Sequence, residues 1–380
     1  MTGARDSSNH PPLLPTAEED LVNRLRLLRS RRVGIATYRR LLAEYGSPQN
    51  ALKALPEIAS EAGEKGYETC PVGVALAELK AGRAAGARLI TEHDPQYPAH
   101  LLNISDAPPM LWALGALDLL SRPMIALVGA RNASSLGTRM AKKLAGELTD
   151  AGYVVVSGLA RGIDTAAHIA ALSGGTVAVQ AGGVDTIYPM ENTQLAHDIA
   201  QKGLRLSEMP MGMQPQARHF PARNRIISGM AQAVVVVEAA AKSGSLITAR
   251  NALDQARDVF AVPGHPFDAR AAGCNMLLRD GATLVRNAQD VIEALAPSET
   301  PLPELDLQPP AERTKPRPMK KIAALHDKIL SRLGPAPIAE DQLVRDVSAP
   351  AAKVAPVLVD LELDGKIARQ PGGLWATIPK

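Results

Sequence analysis

Six short apolar runs, at residues 125–128, 153–156, 176–179, 204–207, 234–237 and 259–262, recur along the middle of the chain, separated by stretches with helical spacing. Valine, isoleucine and leucine dominate the runs and polar alternation is weak, the pattern of strands buried on both faces. Strand and helix alternating in this way predict a mostly parallel sheet covered on each side, an α/β domain of the extended, Rossmann-like, doubly wound kind over 122–296.

The flanks carry a different period. Residues 18–80 read as short helices, LVNRLRLLRS, TYRRLLAEYGS and NALKALPEIAS, broken at Gly34, at Gly46-Ser47-Pro48 and at Pro56. The phrase Val33-Gly34-Ile35-Ala36, followed by Leu41-Leu42 and Tyr45-Gly46-Ser47, is similar to a SAM-like or helix-hairpin-helix repeat. Residues 1–17 are polar and read as a disordered tail, and 81–121 as a connector to the central domain. A proline-rich linker at 297–321 ends in a basic cluster of Arg313, Lys315, Arg317, Lys320 and Lys321. Beyond it, 322–380 reads as three short helices and a hairpin, KIARQPGGLWATI, an order similar to a winged helix.

Composition narrows the partners. A net charge of +3 over 380 residues permits a nucleic-acid partner without requiring one, since a whole-chain sum hides local patches. Arg24, Arg26, Arg29, Arg31, Arg32, Arg39 and Arg40 crowd the first helices, opposed mainly by Glu44, and either touch DNA or form a solvated face on a scaffold. In the third helix of the last domain, Lys353 is outnumbered by Asp360, Glu362 and Asp364, so protein contact competes with DNA reading there. Two distant cysteines, Cys70 and Cys274, offer neither a disulfide framework nor a metal pair, which fits a reducing cytoplasm. The start has no apolar signal core and no segment has the apolar length to cross a bilayer, so a cytoplasmic protein without a membrane partner is expected.

Candidate chemistry sits where strands turn into helices. Three turns, VGARNASSLG (128–137), SGLARGID (157–164) and EAAAKSGSLITA (238–249), place glycine and serine where freed backbone N–H groups and a helix N-terminus bind anions. In the first, Gly129 allows close approach, Arg131 can pair with a phosphate and Ser134 or Ser135 can cap the helix. The second sets Ser157, Gly158, Arg161 and Gly162 ahead of Asp164, read as an N-cap, with His168 one turn on as a structural partner without chemistry. The third offers Lys242, Ser243, Gly244 and Ser245. Neither GxGxxG nor GxxxxGK[ST] is present, so dinucleotide binding and triphosphate hydrolysis lack support, and no cofactor or metal is expected.

Between the loops, Arg218, His219, Arg223 and Arg225, with Asn224 among them, surround the single Phe220 with charge, as a single-strand binding surface requires. Alternatively, Phe220 anchors the core and Arg223 or Arg225 pairs with Glu238 or Asp164.

The ordered set Gly129-Ala130-Arg131, Ser157-Gly158-x-Ala160-x-Gly162-Ile163-Asp164 with Ala167-His168, Gly182-Gly183 with Tyr188-Pro189, Ser207-Glu208, Phe220-Pro-x-Arg223-Asn224-Arg225, Glu238-Ala239 with Ser243-Gly244-Ser245, and Val262-Pro263-Gly264 resembles the DNA processing protein A (DprA/Smf) family across about half the chain. The resemblance implies a non-enzymatic protein that binds single-stranded DNA without sequence preference, forms a homodimer through the Rossmann-like domain and loads the RecA recombinase in natural transformation. It makes Arg131 the phosphate-contacting arginine and places Phe220 and Arg223-Asn224-Arg225 in the DNA pocket. Two rivals share the fold: a nucleotide-processing enzyme of the LOG phosphoribohydrolase type, whose PGGxGTxxE signature is missing, and a nucleotide-sensing regulator with a winged-helix output.

Overall fold

The computed structural model describes residues 16–296, 319–334, 336–370 and 372–378. The tail, the linker at 297–318 with Arg313, Lys315 and Arg317, and the side chains of Lys320 and Lys321 lie outside the described residues. Two compact units divide the chain at 296/297.

Four helices open the first unit: α1 (Ala17–Arg29), α2 (Ile35–Tyr45), α3 (Pro48–Glu61) and α4 (Val72–Ala84). Thr16 closes a capping box on α1 with Glu19, and Ser47 caps α3 ahead of Pro48 at its first position. Pro56 does not break the chain as the sequence suggested, because α3 runs through it. Ala51, Leu52 and Leu55 before it, with Ile58 and Ala59 after it, pack into one apolar cluster with Tyr38 and Leu41. That packing outweighs the lost backbone hydrogen bond.

The arginine-rich face is mostly paired. Arg24 meets Asp20, Arg31 and Arg32 meet Glu64, Arg39 meets Glu92, and Arg26 donates to the Cys70 carbonyl. Arg29 forms a bidentate pair with Glu78 at 3.0 and 2.9 Å, and Glu78 also accepts from the Trp112 indole at 2.8 Å. These contacts favour the scaffold reading of this module over direct DNA contact.

The sheet follows: β1 (Arg88–Thr91), α5 (Ala99–Leu102), β2 (Met110–Gly115), β3 (Met124–Gly129), α6 (Ser135–Asp150), β4 (Val154–Ser157), α7 (Ile163–Ala171), β5 (Thr176–Val179), α8 (Thr193–Lys202), β6 (Leu204–Ser207), α9 (His219–Met230), β7 (Ala233–Glu238), α10 (Ser245–Asp254), β8 (Asp258–Ala261), α11 (Ala272–Arg279), β9 (Thr283–Leu284) and α12 (Ala288–Leu295). Its strand order is β1-β2-β6-β5-β4-β3-β7-β8-β9, with β3 to β9 parallel and β1 and β2 antiparallel at one edge. The two edge strands fall in what the sequence presented as a connector; the four-residue length of β1 and the prolines between the strands, Pro95, Pro98, Pro108 and Pro109, hid them.

Alternate residues face opposite layers. Ala126, Val128, Val154, Val156, Val234 and Val236 pack against Ile226, Ile227 and Met230 of α9, while Ile125, Leu127, Val155, Val235 and Phe260 pack against α6, α7 and α12. Both faces being apolar and covered is what the near-continuous runs predicted.

The second unit holds α13 (Met319–Leu330), β10 (Ile338–Ala339), α14 (Glu340–Val347), α15 (Ala351–Leu363), β11 (Ile367–Gln370) and β12 (Leu374–Thr377), its sheet ordered β10-β12-β11. Three helices and a hairpin around Ile329, Leu343, Val354, Leu358 and Trp375 form a winged helix. Among the described residues no helix is long and apolar enough to cross a membrane.

The Glu78 junction ties α1, α4 and β2 together while burying charge. Glu78→Ala is expected to strand the Arg29 guanidinium and the Trp112 N–H, lowering unfolding free energy by about 3 to 5 kcal/mol. Urea denaturation followed by tryptophan fluorescence measures it, and a loss below about 1 kcal/mol would disprove the role.

Candidate nucleic-acid interface

The chain leaves β3 for β4 on one side and later returns to place β7 on the other, so the sheet switches direction between β3 and β7. In open α/β sheets the crevice beyond the strand C-termini at such a switch is the ligand site. The loops after β3 and β7 are the first and third of the predicted turns, and here they face one another.

Close backbone approach locks them. A Cβ on Gly129 would lie 2.6 Å from Ile163 and 2.9 Å from the Glu238 carbonyl, and one on Gly162, at φ +78°, would lie 2.2 Å from the Ala130 carbonyl. Ala130 N donates to Glu238 O at 2.7 Å, and Ser134 N donates to the Glu238 carboxylate at 2.9 Å. Ser134 caps α6 through Gly137 N and also donates its hydroxyl to Glu238. It is therefore an internal clamp, and it does not line the crevice.

The second loop departs from its expected role. Asp164 is not the N-cap of α7; Gly162 holds that position and Asp164 lies inside the first turn. Its buried carboxylate accepts from Gly158 N at 3.1 Å and Ala160 N at 3.3 Å, so those amides are turned inward and offer no anion cradle. Ser157 is equally internal, donating to the Leu127 carbonyl at 2.6 Å. His168 is fully buried: its Nε2 accepts from Leu159 N at 3.3 Å, and its Nδ1 lies 2.7 Å from Thr176 Oγ1, which itself donates to Val155 O. That network admits only the neutral imidazole with its proton on Nδ1.

Helix α9 supplies the rest. Arg223, 4% exposed, presses its guanidinium onto Gly158, where any Cβ would lie 1.5 Å from Nη1. Among the described residues its Nε has no hydrogen-bond partner. Burial first, with Arg131 adding repulsion and Asp164 opposing both, pushes its pKa down to about 10, so it stays cationic at neutral pH. Phe220 is half-buried; Arg131 stacks over its ring at 5.1 Å and Tyr188 tilts against it at 5.6 Å.

These groups enclose a cavity of about 610 Å³. Gly129 and Arg131 line it from the first loop, Phe220, Arg223 and Asn224 from α9, and Lys242, Ser243, Gly244 and Ser245 from the third loop. Lys242 is exposed, Ser243 and Ser245 hydroxyls lie 2.7 Å apart, and a Cβ at Gly244 would meet open space, so the α10 N-terminus is accessible. Gly158 and Arg161 border a smaller recess across Phe220, with Arg161 paired to Glu191 at 3.6 Å.

Other sequence candidates fall elsewhere. Arg225 pairs with Glu208 at 2.7 Å and Asp106 at 3.0 Å, not with Glu238 or Asp164, and lines a separate recess. Spacing explains this: Arg225 is two positions past Arg223 and so points off another face of α9. His219 is buried, accepting from Gln216 N at 3.2 Å, and exposed Arg218 contacts it. Arg270 and Tyr188 were missed. Arg270 lines the cavity from the loop after β8, and the signal was that a strand beside β7 must open its loop on the same edge.

With four cations, Arg131, Arg223, Lys242 and Arg270, against the Asp164 carboxylate on its lining, the crevice is a cationic cleft in a Rossmann-like protein carrying helical and winged-helix modules. Family models match along the chain: "DNA recombination-mediator protein A" over 88–296, "DprA-like N-terminal HHH domain" over 18–81 and "DprA winged helix domain" over 308–373. The chain belongs to the DNA processing protein A (DprA/Smf) family. It is 32% identical to Protein Smf of Synechocystis, covering 90% of this chain and 94% of that one, and 46% identical to DprA of Bacillus subtilis over 57% and 74%. The crystal structure of DprA from Streptococcus pneumoniae superposes with a TM-score of 0.58 at 37% identity, covering 69% of this chain and 98% of that one. DprA from Helicobacter pylori, whose structure concerns its single-stranded DNA binding mode, gives 0.51 at 32%, covering 56% and 97%.

The buried histidine has a measurable consequence. Burial, reinforced by Arg223, pushes the His168 pKa down to about 3 from the ordinary 6.5. Between those values the unfolded chain binds a proton that the folded one refuses, so stability is expected to fall by a few kcal/mol as pH drops through that window. Asp164, raised by burial, works in the opposite sense. Urea titrations from pH 7 to about 4 on parent and His168→Asn isolate the histidine, since the variant's profile should be flatter; parallel profiles would refute it.

Proposed function

We propose that the crevice binds single-stranded DNA without sequence preference and that the chain acts as a non-catalytic recombination mediator, loading a RecA recombinase onto incoming DNA in natural transformation. The observation that carries this reading is the Arg131–Phe220 stack on the rim of a cavity based on buried Arg223. Guanidinium groups and the α10 N-terminus hold phosphates; the aromatic face takes a base through stacking that every base can supply. Such contacts read the polymer and not its sequence. A homodimer formed through the sheet domain would set two crevices on one strand, raising effective concentration. The family match favours this reading over the LOG-type enzyme and the nucleotide sensor.

Fluorescence-anisotropy titration of labelled single-stranded oligonucleotides at several salt concentrations tests it. Binding is expected for oligonucleotides and not for mononucleotides; the reverse preference would support the rivals. Arg131→Ala should weaken binding about tenfold and reduce the salt slope by about 0.7. An unchanged affinity and slope in a folded variant would remove Arg131 from the site. Gly158→Ala, which displaces the Arg223 guanidinium, should weaken binding by at least as much although the glycine itself contacts no phosphate.

A further inference from the structure

The chain contains three phenylalanines. Phe260 is buried in the core and Phe220 rims the crevice, which leaves Phe267. Its side chain is 94% exposed, more than any other large hydrophobic residue described. It belongs to the loop after β8, three residues before Arg270, which lines the cavity.

The loop is built to hold this ring outward. Asn275 brackets Gly264, accepting from its N–H at 3.2 Å and donating to its carbonyl at 3.0 Å. Asp268 N donates to the His265 carbonyl at 2.9 Å, Ala271 N donates to Asp268 O at 2.9 Å, and the Asp268 side chain pins Arg270 at 3.2 Å. The Phe267 ring rests against His265, centroids 5.5 Å apart, with its far face in solvent. An exposed aromatic ring on a hydrogen-bonded loop that also carries a cation of the crevice offers a stacking platform.

Resting on the single-strand reading above, we propose that Phe267 is a second base-stacking station, extending the DNA track from the crevice past Arg270 onto the loop after β8. Its ligand is an unpaired nucleobase of the same strand whose phosphates occupy the cavity. Arg270 supplies the phosphate contact between the two stations, so Phe220 and Phe267 stack bases on either side of one cationic stretch.

The test uses the full-length chain with oligo-dT of about 2 and about 25 nucleotides, lengths that fill the crevice alone or overrun it. Phe267→Ala is expected to lose about tenfold in affinity for the longer strand and nothing for the shorter. Phe267→Trp supplies a direct signal, because Trp112 and Trp375 are both buried: its emission should be quenched by the longer strand and unaffected by the shorter. Wild-type affinity of Phe267→Ala for the longer strand, or unquenched Phe267→Trp at saturation, overturns the proposal. So does a shift of oligomeric state in Phe267→Ala by light scattering, which assigns the ring to a second copy. If Arg131→Ala binds weakly while Phe267→Ala binds normally, this inference alone falls; if the parent binds neither strand, the underlying reading falls with it.

Discussion

Burying the Arg223 guanidinium against Gly158, beside a carboxylate that already accepts two amides, leaves a positive charge only partly compensated at the base of the crevice. Desolvating such a group is costly unless it is paired and hydrogen-bonded. Its neighbours relieve it only in part: the Asp164 carboxylate offsets some of the burial cost, while Arg131 repels it. In the proposed complex, a phosphate entering the cavity would supply the missing partner. The surrounding features follow from keeping this charge in place, since the glycine at 158 makes room for it, and the interlocked loops around Gly129 and Gly162 keep the room from collapsing.

Much of this is legible in the amino-acid sequence. The parallel strands were readable because strands buried on two faces need uninterrupted apolar residues, and the positions of the first and third loops followed from them. Where the sequence misled, the cause was tertiary. Pro56 reads as a breaker, yet Leu52 and Leu55 on one side and Ile58 on the other anchor the helix through it. Gly158 and Ala160 look like free amides because a carboxylate six residues later in the chain that folds back on them cannot be seen in a one-dimensional reading. Arg223 and Arg225 look equivalent on paper, but a rotation of two positions on α9 sends one to the crevice and the other to Glu208.

Two basic regions of the sequence fall among the described side chains, the α1–α2 arginines and the crevice, and what separates them physically is whether a carboxylate is already within reach. The α1 and α2 arginines have Asp20, Glu64, Glu78 and Glu92 beside them, and a phosphate would have to displace those partners. On α15, Lys353 shares its helix with exposed Asp360 and Glu362, alongside Val359 and Leu363 that are 50% and 81% exposed. An acidic face with apolar residues repels a phosphate backbone and suits a protein surface better. At the crevice, Glu238 is tied to Ser134 and Asp164 to loop amides, so both carboxylates are occupied and Arg131 and Lys242 face solvent without them. Arg131 and Lys242 are thus left without a carboxylate partner among the described residues while Arg270 keeps Asp268, and that is how a chain of modest overall charge presents a cationic crevice.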